Sequence, residues 1–351
     1  MVLPSLLASP VASLSSPRYR PRTSTATATS SRRRPAVVLY VTGESSSLWV
    51  GSTAKPQRLI PLQNVAATTF LTDASANITT NMEDAYRYWA AVLHAVYYQH
   101  HWDGNATDRP VVVVLPDVST VLAEDLNDTV TAQAIQRVLL ETLGVPGVYI
   151  VPVLAMIPMA LPMLPTFLCV YTTTTDAACF VHAHGQTLPY TLHTIPLLLR
   201  NDKVDNDEPS LDAYDPLSLL VAVGHTLLAC PLAVRRAAVQ HLVILTSGGN
   251  TTLSNNQLAV RLGRSLRRVL QEASATDSTA SPPRPYPHTV QMVAVDWTVL
   301  QPLAEYVRVV DVGNSIHQHP CTDDLVAWLG ATVWAAQQGD DSSLPWMTQK
   351  Y

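Results

Sequence analysis

The sequence predicts an α/β protein, in which strands alternate with helices along the chain. Short runs rich in β-branched residues, such as Ala36–Tyr40 and the VVVVLP run that begins at Val111, are typical of buried strands. Between these runs lie longer segments whose apolar side chains recur at helical spacing, as from Tyr86 to Tyr97. The regular alternation favours sheets that are mostly parallel.

The composition indicates a large hydrophobic core. The chain has 351 residues, of which 47% are apolar and 14% are charged. This balance excludes a collagen, a coiled coil and a wholly disordered chain. The four cysteines are widely separated and form no C-x-x-C motif, which excludes a disulfide scaffold and a zinc ribbon.

Charge divides the chain into a basic segment and an acidic body. Residues 1–34 contain six arginines and no acidic residue, so the formal charge of −5 becomes −11 once those six are set aside. We expect this segment to be disordered, either as a solvated basic tail or as a mitochondrial transit peptide. An acidic body argues against a nucleic-acid-binding surface.

The first half of the body predicts a strand–helix succession. Its elements, in order, are a strand at Ala36–Tyr40, a short strand at Ser47–Val50, a helix at Glu83–His101, the VVVVLP strand, a helix that ends at Gly144 and a strand at Gly147–Val151. The window from Glu141 to Asp176 has no charge between its ends and is long enough to span a bilayer. Five prolines interrupt it, so a buried strand, a turn and a short helix explain it better, and we expect no membrane insertion.

The second half continues the pattern. Its predicted elements, in order, are paired strands at Phe167–Tyr171 and Ala177–His182, a turn at Gly185, an acidic loop at 200–216, helices at Leu217–Ala229 and from Pro231, a strand at His241–Leu245, a turn at Ser247–Asn250, a basic helix from Asn256, a Ser/Pro linker at 273–287, a strand at Thr289–Trp297 and a helix at Asp323–Gln337.

Four stretches, in the correct order, together resemble the actin family. They are Arg109–Met156, Cys230–Leu266 with its Gly-Gly turn, Asp324–Ala336 with its AW-containing helix, and Ser343–Tyr351. Within that family, two segments resemble the corresponding segments of the actin-related proteins found at the pointed end of dynactin. They are the helix Ala85–Trp102 and the C-P-x-x-x-R turn at Cys230.

The resemblance implies an actin-like fold of two α/β lobes around a cleft. The first lobe would comprise residues 35–165, with 320–351 returning to it, and the second residues 166–319. The small outer subdomains of the family would be reduced or missing. Only about twenty residues lie between Pro61 and Glu83, and only the acidic loop lies between Leu199 and Leu217.

The resemblance also implies a degenerate ATPase site and therefore no enzyme activity. Tyr40 corresponds to the metal-side Asp of the family, Ser47 to its phosphate-contacting Lys, and Val153 to its water-positioning Gln. The second hairpin, D-S-G-D-G in the family, reads Tyr171–Thr175. Only the turn on the adenosine side keeps the residue types of the family. A Gly-Gly pair there also suits any tight turn between a strand and a helix. ATP or ADP is the one cofactor that this turn suggests. That turn consists of Ser247, Gly248, Gly249 and Asn250.

These losses suggest a structural role. We expect a subunit that caps the pointed end of an actin-like filament in a dynactin-type complex for dynein-driven transport, because a subunit with one complementary face ends a filament. Its partners would be actin-like filament subunits and other pointed-end proteins, in an obligate hetero-complex of the cytoplasm and cytoskeleton. The apolar residues expected to contact them are Met156, Met159, Leu161, Val326, Trp328 and Leu329. The alternatives are an actin-related subunit of a nuclear chromatin-remodelling complex, another cytoskeletal or ciliary assembly, and a mitochondrial protein.

Two further groups of residues have an ordinary explanation beside a functional one. His182 and His184, two apart on a strand, and the cluster His317, His319 and Cys321 suit zinc, but no second pair completes four ligands, so we expect no metal site. The basic helix either binds acidic groups or presents a solvated face. Its arginines are Arg261, Arg264, Arg267 and Arg268.

Overall fold

The computed structural model of the chain describes ten ranges of residues. They are 36–41, 48–51, 57–59, 82–99, 108–173, 175–197, 216–247, 255–273, 295–312 and 325–338. Residues 34–351 form one compact unit. The predicted disordered segment 1–34, nearly all of the loop 200–216 and of the linker 273–287, and the cluster His317–Cys321 lie outside these ranges. The division of the body into two lobes stays a prediction.

Strands and helices alternate as predicted, and the chain is an α/β protein. The elements of its first half are β1 (Val37–Val41), β2 (Leu48–Gly51), β3 (Gln57–Leu59), α1 (Met82–His94), β4 (Val111–Leu115), α2 (Ala123–Leu126), α3 (Val130–Arg137) and β5 (Val148–Pro152). Helices α1 and α3 each continue into a π-helical turn, Ala95–Gln99 and Val138–Thr142 respectively.

The second half begins where α4 (Val153–Ala160) follows β5 directly. The next elements are β6 (Thr166–Thr172), β7 (Asp176–Ala183), β8 (Gln186–Pro196), α5 (Pro216–Ala229), α6 (Leu232–Gln240), β9 (Leu242–Thr246), α7 (Asn255–Glu272), α8 (Trp297–Leu300), β10 (Val309–Val310) and α9 (Val326–Gln338). A 3₁₀ segment, Gln301–Tyr306, extends α8.

The two five-stranded sheets repeat one strand order. The first sheet runs β3-β2-β1-β4-β5 and the second runs β8-β7-β6-β9-β10, so that each reads 3-2-1-4-5 in its own chain order. In both sheets the first three strands pair antiparallel and the last two extend the sheet in parallel. The expectation of mostly parallel sheets is therefore wrong. Both sheets are mixed, because each opens with a three-stranded antiparallel meander joined by short connections.

Side-chain alternation along the central strands places three hydrophobic cores in a row. In β1, Val37, Leu39 and Val41 face α1 and α3, whereas Val38 and Tyr40 face inward. In β6, the alternate residues Leu168 and Val170 face the helices of the second half. The inner faces of both sheets share one core with α4 and α9. Burial on both faces explains why these strands are continuous apolar runs.

Helices α4 and α9 cross at very short range within the shared core. A Cβ atom at Gly330 would overlap the backbone carbonyl of Met156, so glycine is required at the crossing. Tyr149 at β5 stacks on Trp334 of α9, with ring centroids 4.5 Å apart. Helix α9 also contacts β1 and β4, so the last described helix packs on the first sheet.

The uncharged window from 141 to 176 folds as a strand, a short helix and a second strand, as expected. They are β5, α4 and β6, and Pro158 lies inside α4. Across the described ranges, no helix combines the length and the apolar character that a membrane span requires.

Several element predictions need correction. Trp297, predicted to end a strand, begins α8, because the Asp296 carboxylate accepts a hydrogen bond from the backbone amide of Thr298 at 3.1 Å and caps a helix start; residues 289–294 lie outside the described ranges. Sequence reasoning also missed β3, β8 and β10. Strand β8 lacks strict alternation and contains Pro189, while β3 and β10 are only three and two residues long.

The buried imidazole of His182 makes the stability of the fold pH-dependent. The ring stacks on Phe167, with centroids 5.1 Å apart, and Nδ1 lies 3.2 Å from the hydroxyl of Thr187. Burial lowers the pKa of His182 from 6.5 to about 4. His193 shifts in the same direction, because burial and the nearby His225 lower its pKa.

We expect the free energy of unfolding to fall as the pH drops from about 6.5 to 4, because the unfolded chain then binds a proton that the folded His182 excludes. The expected contribution of this residue, after solvent screening at the ring edge, is about 1–2 kcal/mol. The measurement is urea unfolding at a series of pH values, compared between wild type and His182→Asn. The two pH profiles should differ in slope between pH 6.5 and 4, and parallel profiles would contradict the assignment.

Candidate functional site

Two tyrosines meet where the central strands of the two sheets end. The hydroxyl of Tyr40 in β1 lies 3.2 Å from the hydroxyl of Tyr171 in β6, and 131 residues separate them in sequence. Their relative exposures are 1% and 2%. In α/β proteins, ligands bind beyond the carboxyl ends of parallel strands, so we expect a functional site at this meeting point.

The repeated topology places both tyrosines at equivalent positions. Tyr40 is the penultimate residue of β1 and Tyr171 is the penultimate residue of β6, and each strand is the central one of its sheet. Tyr40 is in register with Val114 of the parallel neighbour β4, and Tyr171 with Leu245 of the parallel neighbour β9. The two side chains therefore approach each other from matching ends of facing sheets.

The hairpin between β6 and β7 closes on itself through Thr173. Its hydroxyl accepts hydrogen bonds from the backbone amides of Thr175 at 3.3 Å and Asp176 at 2.9 Å, and it donates to the carbonyl of Asp176 at 3.0 Å. The hydroxyl of Thr175 donates to the Asp176 carboxylate at 2.6 Å. A phosphate cradle needs backbone amides aimed at the ligand, and these two are already bonded to a side chain.

Ser247 lies just beyond β9, beside the same strand ends. Its backbone amide donates to the carbonyl of Thr172 at 2.7 Å, and its side chain is buried. Its hydroxyl has no hydrogen-bond partner among the residues that the structure describes. Gly248, Gly249 and Asn250, the rest of the predicted adenosine-side turn, lie outside those residues, as does Ser47.

On the side of the shared core, the neighbours of the tyrosine pair are apolar. Val153 begins α4 and is fully buried in the shared core. Among the residues with described burial, no Asp, Glu, Lys or Arg is buried, so none of them supplies a desolvated acid or base.

The described cysteines are poor nucleophiles. Cys169, Cys179 and Cys230 are buried and unpaired. Burial raises the pKa of Cys179 to about 12 and that of Cys230 to about 11, and it raises the pKa of Cys169 well above its usual value. Their thiols are therefore protonated at neutral pH.

The residues predicted to contact partners lie mainly beneath the surface. Met156, Leu161, Val326 and Trp328 are buried in the shared core around the α4–α9 crossing, while Met159 and Leu329 are partly buried at its margin. Sequence patterns do not distinguish a buried apolar helix face from a docking face.

The exposed apolar residue of this region is Met163. It lies in the short segment between α4 and β6 and is 85% exposed. Pro162 precedes it and the partly buried Leu164 follows it, which fixes the backbone on both sides.

The structure describes His182, His184 and the four arginines of the basic helix, whereas His317 and His319 lie outside the described residues. His184 lies in the β7–β8 turn with a φ of 52°, so it does not share a strand face with His182, contrary to expectation. Among the residues that the structure describes, no group of three potential metal ligands occurs. Arg267 donates from Nε to the carbonyl of Val307 at 3.0 Å, and Arg268 bonds Glu272 at 2.7 Å. Arg261 and Arg264 are exposed on the outer face of α7.

No family model matches the chain, and a search of curated proteins finds no significant match to it.

Proposed function

We propose that this chain is a non-catalytic, actin-related structural subunit that caps the pointed end of an actin-like filament in a dynactin-type complex. The observation that carries the proposal is the pair Tyr40 and Tyr171, which occupies the meeting point of the two sheets. By resemblance, these are the two positions at which the actin family carries the carboxylates of its nucleotide site.

The repeated sheet supports an actin-like, two-lobed fold. Two sheets with the same 3-2-1-4-5 order face each other across a shared core, with α4 leading from one into the other. Such a duplication is the arrangement that two α/β lobes around a central cleft require.

The chemistry of the strand ends supports a role without ATP hydrolysis. An actin-type ATPase needs carboxylates that hold Mg²⁺ through water and backbone amides that cradle the phosphates. The resemblance assigns the carboxylate positions to Tyr40 and Tyr171, whose hydroxyls contact each other, and Thr173 engages two amides of the second hairpin. The resemblance assigns the water-positioning role to Val153, which has no polar side-chain atom.

A surface beside the α4–α9 crossing supports a role in assembly. The resemblance assigns this part of the chain to the barbed-end face, through which a capping subunit would sit on the filament end. Met163, in the segment that follows α4, is exposed, and Met159 of α4 and Leu329 of α9 are partly buried against the shared core. The buried residues Met156, Leu161, Val326 and Trp328 would support this surface from beneath.

A nuclear chromatin-remodelling complex, or another cytoskeletal or ciliary assembly, is the alternative for an actin-related chain. Such a subunit would share the fold, so the decision depends on its partners. We prefer the capping role to an ATP-binding nuclear subunit, because tyrosines stand at the ends of β1 and β6, where the resemblance assigns the carboxylates of the family.

The test is to purify the tagged, full-length chain from its own cells at low salt and to identify the proteins that accompany it in stoichiometric amounts. We expect actin-like filament subunits and other pointed-end proteins of a dynein-adaptor complex. Chromatin-remodelling subunits or mitochondrial proteins would leave the fold intact and overturn the capping role.

A further inference from the structure

We propose that Tyr40 and Tyr171 form a clasp that holds the two sheets together without a bound ligand. The clasp itself follows from the geometry of the two sheets. Only the statement that it stands where a nucleotide would bridge two lobes rests on the proposed function.

The clasp adds a polar contact to the apolar connections between the sheets. The chain passes from the first sheet to the second through α4, which α9 crosses at Gly330, and the inner faces of both sheets share one core. The tyrosines lie at the carboxyl ends of β1 and β6. Apolar packing is non-directional, whereas a hydrogen bond requires a defined distance and angle, so the clasp fixes how the two strand ends face each other.

The surroundings make the hydroxyl contact costly to break. Both tyrosines belong to the shared apolar core, with Val114, Leu245 and Phe180 in the same cluster. A hydrogen bond in a medium of low dielectric is strengthened, and a buried hydroxyl that loses its partner retains its desolvation cost. Opening the sheets at this end would therefore expose apolar surface and break the contact between the two hydroxyls.

The same arrangement holds the carboxyl ends of β1 and β6 together whether or not a nucleotide is present. A ligand shifts a conformational equilibrium only through its difference in affinity between two states. Where the protein's own side chains bridge the strand ends and Thr173 engages the nearby amides, Mg-ATP has few groups left to engage. A subunit of this kind holds one shape through every nucleotide state of its neighbours.

A double-mutant cycle tests the clasp with isosteric variants. Tyr40→Phe, Tyr171→Phe and the double variant remove hydroxyls and keep the rings in the core. We expect each single variant to raise the equilibrium constant of unfolding about fivefold, and the double variant to raise it little more than either single one. Tyr306→Phe is the matched control, because its ring keeps its place 4.0 Å from the Arg236 guanidinium and its hydroxyl joins no sheets. Multiplicative effects of the two single substitutions would overturn the proposal.

Hydrogen exchange separates a clasp from two independent local contacts. If the contact is a clasp, Tyr40→Phe accelerates amide exchange at the end of β6 as well as in β1. Tyr171→Phe accelerates exchange at the end of β1 as well as in β6, and the factors in the two strands are similar. Acceleration confined to the substituted strand would contradict it.

A third experiment repeats the hydrogen-exchange and unfolding measurements on the wild-type, full-length chain in the presence of millimolar Mg-ATP or Mg-ADP. We expect no change in exchange at either strand and no shift of the unfolding midpoint. Protection by either nucleotide would overturn the ligand-independent clasp, while the capping role would still be judged by the partners that co-purify.

Discussion

Replacing Gly330 with Ala is expected to lower the free energy of unfolding by about 3 kcal/mol, although alanine is the better helix former. The new methyl group would overlap the carbonyl oxygen of Met156, a backbone atom within α4 that has no rotamer to move away. To admit it, α4 and α9 must separate, which loosens the core that both sheets share. Chemical denaturation of the purified chain measures the loss.

Gly263→Ala is the matched control for this substitution. Gly263 also lies in a helix, α7, and a Cβ there would lie 2.6 Å from Cγ2 of Val309, which is the end of a side chain. Because that side chain can rotate, and alanine favours the helix by about 1 kcal/mol, we expect a change within about 1 kcal/mol. Equal losses at the two positions would show that the helix crossing has no special closeness.

Replacing Met163 with Glu is expected to weaken retention of the filament partner at least tenfold while leaving the fold unchanged. Met163 is 85% exposed in the segment that follows α4, so a charge there costs the free chain little. In an assembly it would be buried against an apolar surface, where an unpaired carboxylate is costly. The measurement is the amount of partner recovered with the tagged variant relative to wild type.

Leu232→Glu controls for a general effect of added charge. Leu232 is 76% exposed at the start of α6, on the second half of the chain, and its replacement adds the same carboxylate. We expect full partner recovery with this variant. Comparable losses from both substitutions, or none from Met163→Glu, would remove this face from the proposed assembly.

The sequence predicted the elements with strong patterns. Strands β1 and β4 formed where the sequence has β-branched runs, and β5 and α4 formed within the apolar window. The strands were predictable because a strand that is buried on both faces needs continuous apolar residues. Strand β8 was missed because it is half exposed and carries Pro189, so neither a continuous run nor a clean alternation identifies it. The parallel pairing was overestimated because the direction of a neighbouring strand depends on the connection between strands.

The contact between Tyr40 and Tyr171 was not predicted from the sequence. The resemblance to the actin family assigned both residues to carboxylate positions, but it gave no sign that their hydroxyls contact each other. The available signal was that the same residue type occurs at both of these assigned positions. The closing of the hairpin by Thr173 and the burial of Trp328 depend on three-dimensional packing, which a single sequence does not encode in any local pattern.

We propose above all that this chain occupies one end of an actin-like filament as a non-catalytic subunit. The most direct test is electron microscopy of the complex purified through the tagged, full-length chain, with a label bound to the tag. We expect one label per particle, always at the same end of a short filament. Labels distributed along the filament, or particles that contain no filament, would contradict it.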